Sequence, residues 1–359
     1  MRMLLVCPEV FRADGGIARI LRLYLKALCA TAREGDEIAG VVLNDSDAND
    51  PRRSSYDGPA LKTWVACGRR RLVFAWHVFR LARRTDRVIC GHLHQLPLVR
   101  LAQKLNSRLN YCLIAHGIEV WRPYSRAERR ALLGASCILC VSEYTRRQMQ
   151  RFLPELDGRR LVVVPNALDP VVQAQAAPAV FPIPADGPRL LTVSRLSRAD
   201  SYKGVDTLIE ALPLVQRRYP ATRLRVVGTG DDLPRLQELA AACRVSGSVE
   251  FSGRLDDRQL QAAYAACDLF ALPSRREGFG LVFLEAMSHG KACLGARAGG
   301  IPEVVDDEVG ALADYANISD LAAAVTDLVR HPRSPDLIRR RAESFGYEAF
   351  AQRLRTVLT

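Results

Sequence analysis

Short runs of apolar residues alternate with longer amphipathic segments along the whole chain. In the first half, the runs that predict buried strands are Met3–Cys7, Ile38–Leu43, Arg87–Cys90, Tyr111–Ala115, Cys137–Val141 and Leu161–Val164. Three segments between them, 17–28, 72–82 and 143–152, carry apolar residues at helical spacing. Strands that alternate with helices are typical of βαβ units, so the first half is predicted to form a parallel, doubly wound α/β sheet.

The second half repeats this alternation. Its predicted strands are Leu190–Val193, Leu224–Val227, Val249–Phe251, Leu269–Leu272 and Ala292–Leu294. The segment 169–188 holds five prolines, has little periodicity and is predicted to be a linker. We therefore expect one Rossmann-like domain over 1–168 and a second over 189–345. Two such domains are expected to face a central cleft, with ligands at the carboxyl ends of their strands.

Charge distinguishes the two halves more than composition does. The chain has 359 residues, and its hydrophobic share of 48% and charged share of 25% are ordinary for a globular protein. Up to residue 180 there are 28 basic and 16 acidic residues, and after it 23 of each, so the whole net charge of +12 lies in the first half. This asymmetry favours an anionic partner for the first half. The alternative is that its arginines form an ordinary solvated surface.

A basic amphipathic segment contributes much of this surplus. At helical spacing, one face of the segment holds Arg69, Arg80, Arg83, Arg84 and Arg87, and the other Phe74, Val78, Leu81 and Ala82. One interpretation is a crossover helix with a solvated outer face. The other adds reversible contact with an anionic membrane surface. Nucleic-acid binding is disfavoured, because no known module is present and no aromatic residues are interleaved with the basic runs.

The location of the protein is predicted from what the sequence lacks. No apolar run is long enough to span a membrane, and the N-terminus does not resemble a signal peptide. Five of the ten cysteines lie in apolar runs, as in a reducing compartment, and Cys137 with Cys140 is interpreted as strand packing rather than as a redox or zinc pair. We therefore expect a cytoplasmic protein, peripheral on the cytoplasmic face of the inner membrane.

Several turns between a predicted strand and the following helix carry residues suited to binding an anionic ligand. Gly15 and Gly16 follow the first strand, where glycines allow close approach of a ligand to a helix N-terminus, although a plain structural turn explains them equally well. Arg195 and Lys203 follow the strand 190–193, and two such cations suit a diphosphate.

Asp45-Ser46-Asp47 imitates a metal-binding pattern but lies in a polar stretch, so a solvated loop is predicted.

The stretch 272–287 is the most informative. A strand ends at Leu272, a turn brings Glu277 and two glycines, and a helix follows with Glu285 eight positions after Glu277. Two carboxylates at this spacing can accept hydrogen bonds from sugar or ribose hydroxyls, while the backbone amides near Gly278 and Gly280 bind a phosphate. The alternative is that Glu285 is a surface residue, but Val282, Leu284 and Met287 make the helix largely apolar, which favours a functional carboxylate.

Together these residues resemble the retaining glycosyltransferases of family four, which have the two-domain GT-B fold. The motifs that carry the resemblance are Glu277 to Glu285 in S-R-R-E-G-F-G-L-V-F-L-E-A-M, Gly15-Gly16, His116-Gly117, Val141-Ser142-Glu143, Val164-Pro165-Asn166, Arg195 with Lys203-Gly204, Phe251-Ser252-Gly253 and Gly299-Gly300-Ile301-Pro302-Glu303. The loop from Arg195 to Lys203 is longer than in many members. The resemblance also implies that the final segment, 346–359, is a helix that crosses back to the first domain.

The resemblance implies a role for each candidate residue. Arg195 and Lys203 contact the donor diphosphate, Glu277 the transferred sugar and Glu285 the ribose, while His116 contacts the sugar from the first domain. The expected donor-binding residues are Gly15, Gly16, Gly253, Gly278, Phe279, Gly280, Leu281 and Glu285. No metal and no cofactor are expected, because cations and a helix N-terminus stabilise the leaving diphosphate.

The function implied is transfer of a hexose, with retention, to a lipid-linked, lipopolysaccharide or exopolysaccharide acceptor. Mannose from GDP-mannose is the favoured donor sugar, and UDP-glucose or UDP-N-acetylglucosamine are the alternatives. A front-face attack is favoured over a double displacement, because Glu277 is expected at sugar hydroxyls rather than at the anomeric carbon. A nucleotide-sugar epimerase of the same fold and a basic nucleic-acid-binding protein are the less favoured classes.

Overall fold

A computed structural model describes residues 1–12, 15–173 and 187–358. The chain divides into two compact units, the first formed by Met1–Asp169 with Gly346–Thr359 and the second by Pro170–Phe345. Most of the predicted linker, residues 174–186, lies outside the described residues. The final helix belongs to the first unit although it follows the second in sequence.

Each unit is built on one parallel sheet. The strands are β1 Arg2–Cys7, β2 Glu37–Val42, β3 Leu61–Ala66, β4 Arg87–Cys90, β5 Asn110–Ala115, β6 Cys137–Cys140, β7 Leu161–Val163, β8 Arg189–Val193, β9 Arg223–Val227, β10 Val249–Gly253, β11 Leu269–Leu272, β12 Ala292–Ala296 and β13 Gly310–Ala313. The strand order is β3-β2-β1-β4-β5-β6-β7 in the first unit and β10-β9-β8-β11-β12-β13 in the second. Both sheets are doubly wound, and the order reverses between β1 and β4 and between β8 and β11.

The α-helices connect these strands. They are α1 Gly16–Thr31, α2 Arg71–Ala82, α3 Leu96–Gln103, α4 Arg126–Gly134, α5 Glu143–Phe152, α6 Pro170–Gln173, α7 Val205–Gln216, α8 Leu233–Ala242, α9 Asp257–Ala266, α10 Leu281–Ser288, α11 Ile318–Arg330, α12 Pro335–Glu343 and α13 Tyr347–Leu358. Short 3₁₀ turns span Pro51–Ser55, Leu93–Gln95, Ile118–Val120, Gly158–Arg160, Arg198–Lys203, Ser246–Ser248 and Ile301–Glu303. Among the described residues, none of the helices is both long and apolar enough to cross a membrane.

The core of the first unit follows from the continuous apolar strands. β1 lies in the middle of the sheet, between β2 and β4, and its residues 3 to 7 are buried, as expected for a parallel sheet with helices on both faces. α1 packs against α13, where the rings of Tyr24 and Phe350 meet edge to face at 5.0 Å. Elsewhere in this unit, α2 contacts α3 and α3 contacts α4. Cys137 and Cys140 both lie in β6, where neither forms a disulfide.

The basic segment differs from the prediction. α2 contains only two of its arginines, Arg71 and Arg80, because the helix is shorter than the charge pattern. Arg69 precedes the helix with a positive φ of 66°, and Arg87 begins β4 and donates to a carbonyl near the end of α13. The predicted single face of five arginines is therefore wrong for Arg69 and Arg87. The buried side of the helix agrees with the prediction at Phe74, Val78 and Ala82.

Candidate functional site

The predicted donor residues of the second unit lie after the strands that flank its reversal of strand order. Arg195 follows β8, and Glu277 follows β11, which is the neighbour of β8 in the sheet. Gly253 ends β10. Because all six strands are parallel, their carboxyl ends meet at the same edge of the sheet, where ligands of such folds bind.

An ion pair joins the two central loops of this edge. The Nζ atom of Lys203 contacts Oε2 of Glu277, and the two side chains are only 19% and 18% exposed. Gly204 allows the two loops to come this close, since it has a φ of +73° and a Cβ there would lie 2.6 Å from the carbonyl oxygen of Pro273. The side chains that the resemblance assigns to the diphosphate and to the sugar are thus brought together.

A glycine turn after β12 fixes the backbone of Glu277. The N–H of Gly300 donates to the carbonyl oxygen of Glu277 at 2.8 Å. Gly299 has a φ of +62°, and a Cβ there would lie 2.5 Å from the same oxygen. The sequence showed this Gly-Gly pair as part of a motif, but no role was predicted for it. In the structure it holds the backbone of Glu277, whose carboxylate pairs with Lys203.

The turn between Glu277 and α10 is buried. Gly278, Phe279 and Gly280 are all covered, and the ring of Phe279 packs edge to face on Phe345 at 5.4 Å. Gly280 adopts a φ of +92° as the residue that caps α10, and Leu281 is the first residue of that helix. The N–H groups of the first turn of α10 therefore follow Glu277 closely in the chain, at the end of a helix dipole that favours anions.

Glu285 is anchored by a neighbouring helix. It lies in the second turn of α10, is half-buried, and its Oε2 accepts a hydrogen bond of 2.8 Å from the hydroxyl of Tyr264 in α9. The Tyr264 ring is fully buried. Glu285 is therefore held in one orientation, which a freely solvated surface carboxylate would not be.

Arg195 is more accessible than Lys203. Its side chain is 78% exposed and its guanidinium pairs at 3.1 Å with Asp200, whose side chain is 10% exposed. Asp200 also accepts a hydrogen bond of 2.8 Å from the hydroxyl of Tyr202, and burial together with this bond raises the pKa of Tyr202. The loop from Arg195 to Lys203, which is longer than in many family members, thus supplies a carboxylate partner for Arg195, the residue predicted to contact the diphosphate.

Gly253 belongs to a second set of close backbone contacts. It has a φ of +66°, and its carbonyl accepts from the N–H of Gly228 at 2.8 Å. A Cβ on Gly228 would lie 1.8 Å from the carbonyl oxygen of Ser194, so only glycine fits after β9. The prediction missed the segment 228–230, although two glycines directly after a buried strand were a readable signal of close approach.

In the first unit, Gly15 and Gly16 lie at the start of α1. Gly15 is the cap and Gly16 the first helical residue, both are exposed, and a Cβ on Gly15 would meet nothing within 4 Å. No acidic side chain occupies the first turn of the helix. The preceding residues of the motif, 13 and 14, lie outside the described residues.

Asp45 corrects the expectation of a solvated loop. Its carboxylate is 2% exposed and accepts from the backbone N–H groups of Val10, Phe11 and Arg12 at 3.1, 2.8 and 3.3 Å. It was misread because its partners lie 33 to 35 positions earlier in the chain. Asp45 therefore holds the segment between β1 and the glycine turn, while Asp47 is exposed. Within the described residues, no three His, Cys, Asp or Glu side chains form a metal-binding group.

His116 follows β5 at the carboxyl edge of the first sheet. Its Nε2 donates to the carbonyl of Gly91 at 2.8 Å, and its backbone N–H donates to Oε1 of Glu119 at 2.6 Å. Burial lowers the pKa of the ring to about 4, so His116 is neutral near neutral pH. A second ring, that of His92 after β4, lies 6.5 Å away, and the prediction did not include it.

Two family models match the chain. The one described as Glycosyltransferase Family 4 matches residues 15–172, and the one described as Glycosyl transferases group 1 matches residues 174–345. The first model thus falls on the first unit and the second on the second unit. Together they cover nearly the whole chain.

Curated relatives match part of the chain. A protein of Mycolicibacterium smegmatis named GDP-mannose-dependent alpha-(1-6)-phosphatidylinositol monomannoside mannosyltransferase is 33% identical over 240 residues, which is 61% of this chain and 60% of that protein. The glycogen synthase of Mycobacterium tuberculosis strain H37Rv is 33% identical over 199 residues, or 55% of this chain and 46% of the relative. The chain therefore matches three fifths or less of the length of these relatives.

Solved structures match over the whole chain at low identity. HepE of Anabaena in complex with UDP has a TM-score of 0.79 at 19% identity and covers 100% of this chain and 99% of its own. The lipopolysaccharide outer core galactosyltransferase WaaB has a TM-score of 0.75 at 17% identity, with coverage of 100% and 99%. These likenesses concern the fold, which is GT-B with two Rossmann-like domains. With one family model matched in each unit, the chain belongs to the glycosyltransferases of family 4.

Proposed function

We propose that this chain is a retaining hexosyltransferase that moves mannose from GDP-mannose to a lipid-linked or polysaccharide acceptor. The observation that carries the proposal is the ion pair of Lys203 and Glu277 where two neighbouring strands of the second sheet end. A departing diphosphate needs a cation, and sugar hydroxyls need an acceptor such as a carboxylate. The pair offers both, and the start of α10 adds N–H groups that favour a phosphate.

The choice of mannose rests on the relatives' names. The Mycolicibacterium smegmatis protein and a Corynebacterium glutamicum relative, which is 34% identical over 143 residues, are both named GDP-mannose-dependent mannosyltransferases. The glycogen synthase relative supports a glucose donor as the second candidate. Thermal-shift measurements with GDP-mannose, UDP-glucose and UDP-N-acetylglucosamine distinguish them. We expect GDP-mannose to raise the melting temperature most, and a larger shift with a UDP-sugar would overturn the choice of donor.

Transfer itself is tested with labelled GDP-mannose and a membrane lipid extract as acceptor. The wild-type chain is expected to form a labelled lipid product, and Glu277→Ala is expected to form none while it stays folded, with a melting temperature about 4–8 °C lower. Glu250→Ala is the matched control, because Glu250 is 64% exposed in the same unit. Equal turnover by the Glu277→Ala variant and the wild type would contradict the assignment of Glu277 to the transferred sugar.

We propose a front-face reaction for the retained stereochemistry. The bond from the anomeric carbon to the diphosphate breaks, the acceptor oxygen bonds to the same face of that carbon, and the acceptor proton passes to the leaving phosphate oxygen. NMR of the product is expected to show an α-linkage from the α-linked donor, and a β-linkage would contradict it. No metal takes part in the proposed reaction. We therefore expect full activity in excess chelator, and loss of activity there would refute this part.

Two helices of the first unit support contact with a membrane. Six large apolar side chains are well exposed among the described residues, and four of them lie on α2, on α3 or just after α3. These four are Leu72, Trp76, Leu101 and Leu105. Leu72 is 87% and Trp76 58% exposed, and the guanidinium of Arg80 lies 5.0 Å from the centre of the Trp76 ring. Exposed Trp and Leu beside Arg are typical of surfaces that sit in the interface of a bilayer.

We propose that these two helices dock on anionic lipid at the cytoplasmic face of the inner membrane, where a lipid-linked acceptor is found. Sedimentation with liposomes that contain phosphatidylglycerol is expected to bring down the wild type at low salt and less of it at high salt. Trp76→Ala with Leu72→Ala should weaken binding at every salt concentration. Leu337→Ala, in the second unit and 45% exposed, is the matched control. Binding that depends neither on anionic lipid nor on these side chains would refute the proposal.

A further inference from the structure

Two histidine rings lie side by side at the carboxyl edge of the first sheet. His92 follows β4 and His116 follows β5, the neighbouring strand. The ring centres are 6.5 Å apart and the ring planes are inclined by only 26°. Both residues are partly exposed.

The hydrogen bonds of each ring determine which nitrogen carries its proton. Nε2 of His116 faces the carbonyl oxygen of Gly91 at 2.8 Å, and since a carbonyl only accepts, this nitrogen is protonated. Nδ1 of His116 therefore has a free lone pair in the neutral ring. Nδ1 of His92 accepts from the N–H of His94 at 3.2 Å, so the neutral ring of His92 carries its proton on Nε2.

The two rings thus present one donor and one acceptor. Among the described residues, no side chain or backbone group bonds Nε2 of His92 or Nδ1 of His116. A hydroxyl group needs this combination, because its oxygen accepts one hydrogen bond while its proton makes another. The ring centres lie 6.5 Å apart, close enough for one small polar group to contact both residues.

We propose that His92 and His116 bind one hydroxyl group of a sugar or polyol between them, with His92 donating and His116 accepting. His92 is then a substrate-binding residue in addition to those that the family resemblance indicates. Its role in transfer rests on the proposed function, but its binding chemistry does not. The hydroxyl belongs either to the acceptor or to the donor sugar, and the experiment distinguishes these two sources.

The surroundings favour a neutral ligand over an anionic one. Burial lowers the pKa of both rings to about 4, so neither carries a charge near neutral pH. Glu119 accepts a hydrogen bond from the backbone N–H of His116, and it also interacts electrostatically with the ring of His92. Arg122 is the nearby cation, and its guanidinium is engaged by Glu128 at 2.6 Å. The pair therefore has the hydrogen-bonding capacity for a hydroxyl and no free positive charge for a phosphate.

Two substitutions of His92 separate binding from a structural role. His92→Asn keeps an acceptor near Nδ1, so the cap on the N–H of His94 survives, but it removes the donor at Nε2. His92→Gln keeps a donor near Nε2 and moves the acceptor away. We expect His92→Asn to raise a KM about tenfold, as the loss of one hydrogen bond does, and His92→Gln to recover most of that loss. A purely structural role predicts the reverse order.

The KM that changes identifies the source of the hydroxyl. KM for the acceptor is measured at saturating donor, KM for the donor at saturating acceptor, and slow hydrolysis of the donor is followed without acceptor. A rise in the acceptor KM with unchanged donor hydrolysis places the acceptor hydroxyl at the rings, and a rise in the donor KM places the donor sugar there. If the wild type transfers sugar and neither KM changes in His92→Asn, the inference is overturned.

A binding measurement keeps the inference testable even if transfer is not observed. Saturation-transfer NMR with mannose and with myo-inositol compares the wild type with both variants. Contact that weakens in His92→Asn and returns in His92→Gln supports the hydroxyl site, whatever reaction the chain performs. If this contact is observed but no sugar transfer is, only the proposed function is refuted. Equal contact in all three proteins would refute the inference alone.

Discussion

The ion pair of Lys203 and Glu277 makes a prediction in which stability and activity respond differently. Both side chains are about four-fifths buried, between the exposed pairs worth at most about 1 kcal/mol and the buried pairs whose disruption costs about 3–5 kcal/mol. Lys203→Met or Glu277→Gln leaves one charge without its partner. We expect each to lower the free energy of unfolding by about 2 kcal/mol, or the melting temperature by about 4–8 °C for a unit of this size.

The double variant Lys203→Met with Glu277→Gln is expected to recover much of this stability, because neither charge remains to be buried alone. Its activity is not expected to recover. Removal of one group that stabilises developing charge in a transition state lowers turnover by about 100- to 1,000-fold. Groups that act in the same step do not add, so the double variant should turn over about as slowly as the slower single variant.

A second ion pair at the opposite edge of the same sheet provides the control. Arg189 begins β8 and Asp268 precedes β11, and the guanidinium contacts the fully buried carboxylate at 2.6 Å. Asp268→Asn should cost about 2–3 kcal/mol of stability but leave turnover within about twofold. Melting curves and steady-state rates with GDP-mannose are measured for all variants. If the double variant regains its activity together with its stability, the pair is structural only and the reasoning fails.

Two further predictions concern the backbone and the pH dependence of stability. Gly299→Ala is expected to lower turnover at least about tenfold, because its Cβ would lie 2.5 Å from the carbonyl oxygen of Glu277 and its φ is positive, whereas Gly247→Ala, with nothing within 4 Å, should be neutral; equal rates would exclude a supporting role for the turn. Arg122 lowers the pKa of Glu128 from 4.5 to about 2, so this pair stabilises the fold above pH 4.5 and ceases to do so as the pH falls towards 2. Melting curves between these pH values should show a shallower loss for Glu128→Gln, and identical slopes would contradict the assignment.

Most of the strands predicted from sequence are runs of apolar, buried residues. Apart from Arg2 at the start of β1, both β1 and β11 consist of apolar residues, because helices cover both faces of a doubly wound sheet. The two missed strands lack this signal. β3 lies at the edge of its sheet and includes Lys62 and Thr63, and β13 is built from the small residues of Gly310–Ala313. Position in the sheet, which the local pattern does not contain, determines how apolar a strand must be.

The site residues divide in the same way. Glu277 and Glu285 could be predicted because their spacing along one turn and one helix is local. The contact of Lys203 with Glu277 joins residues 74 positions apart, and the N–H bonds to Asp45 span more than 30, so neither follows from a short stretch of sequence. His92, which we propose as a ligand of a hydroxyl group, was not predicted for a related reason. Its partner ring belongs to the next strand of the sheet, and only the fold brings the two together.

Both cations that are predicted to contact the diphosphate are paired, in a unit whose half of the sequence has no net charge. After residue 180 there are 23 basic and 23 acidic residues, and the two predicted diphosphate ligands are held by carboxylates, Lys203 by Glu277 and Arg195 by Asp200. We propose that a diphosphate replaces a carboxylate partner when it binds here, and that Glu277 becomes available to the sugar hydroxyls when Lys203 turns to the phosphate.

This exchange of partners predicts that binding of GDP-mannose depends only weakly on salt, because few free charges are neutralised. Lipid binding by the first unit should depend strongly on salt, since its half of the chain carries the whole surplus of +12. Calorimetric titration with GDP-mannose and liposome sedimentation, both from 50 to roughly 500 mM salt on the same preparation, measure the two dependences. Equally steep dependences would mean that the donor meets unpaired cations, and the proposed exchange of partners would be wrong.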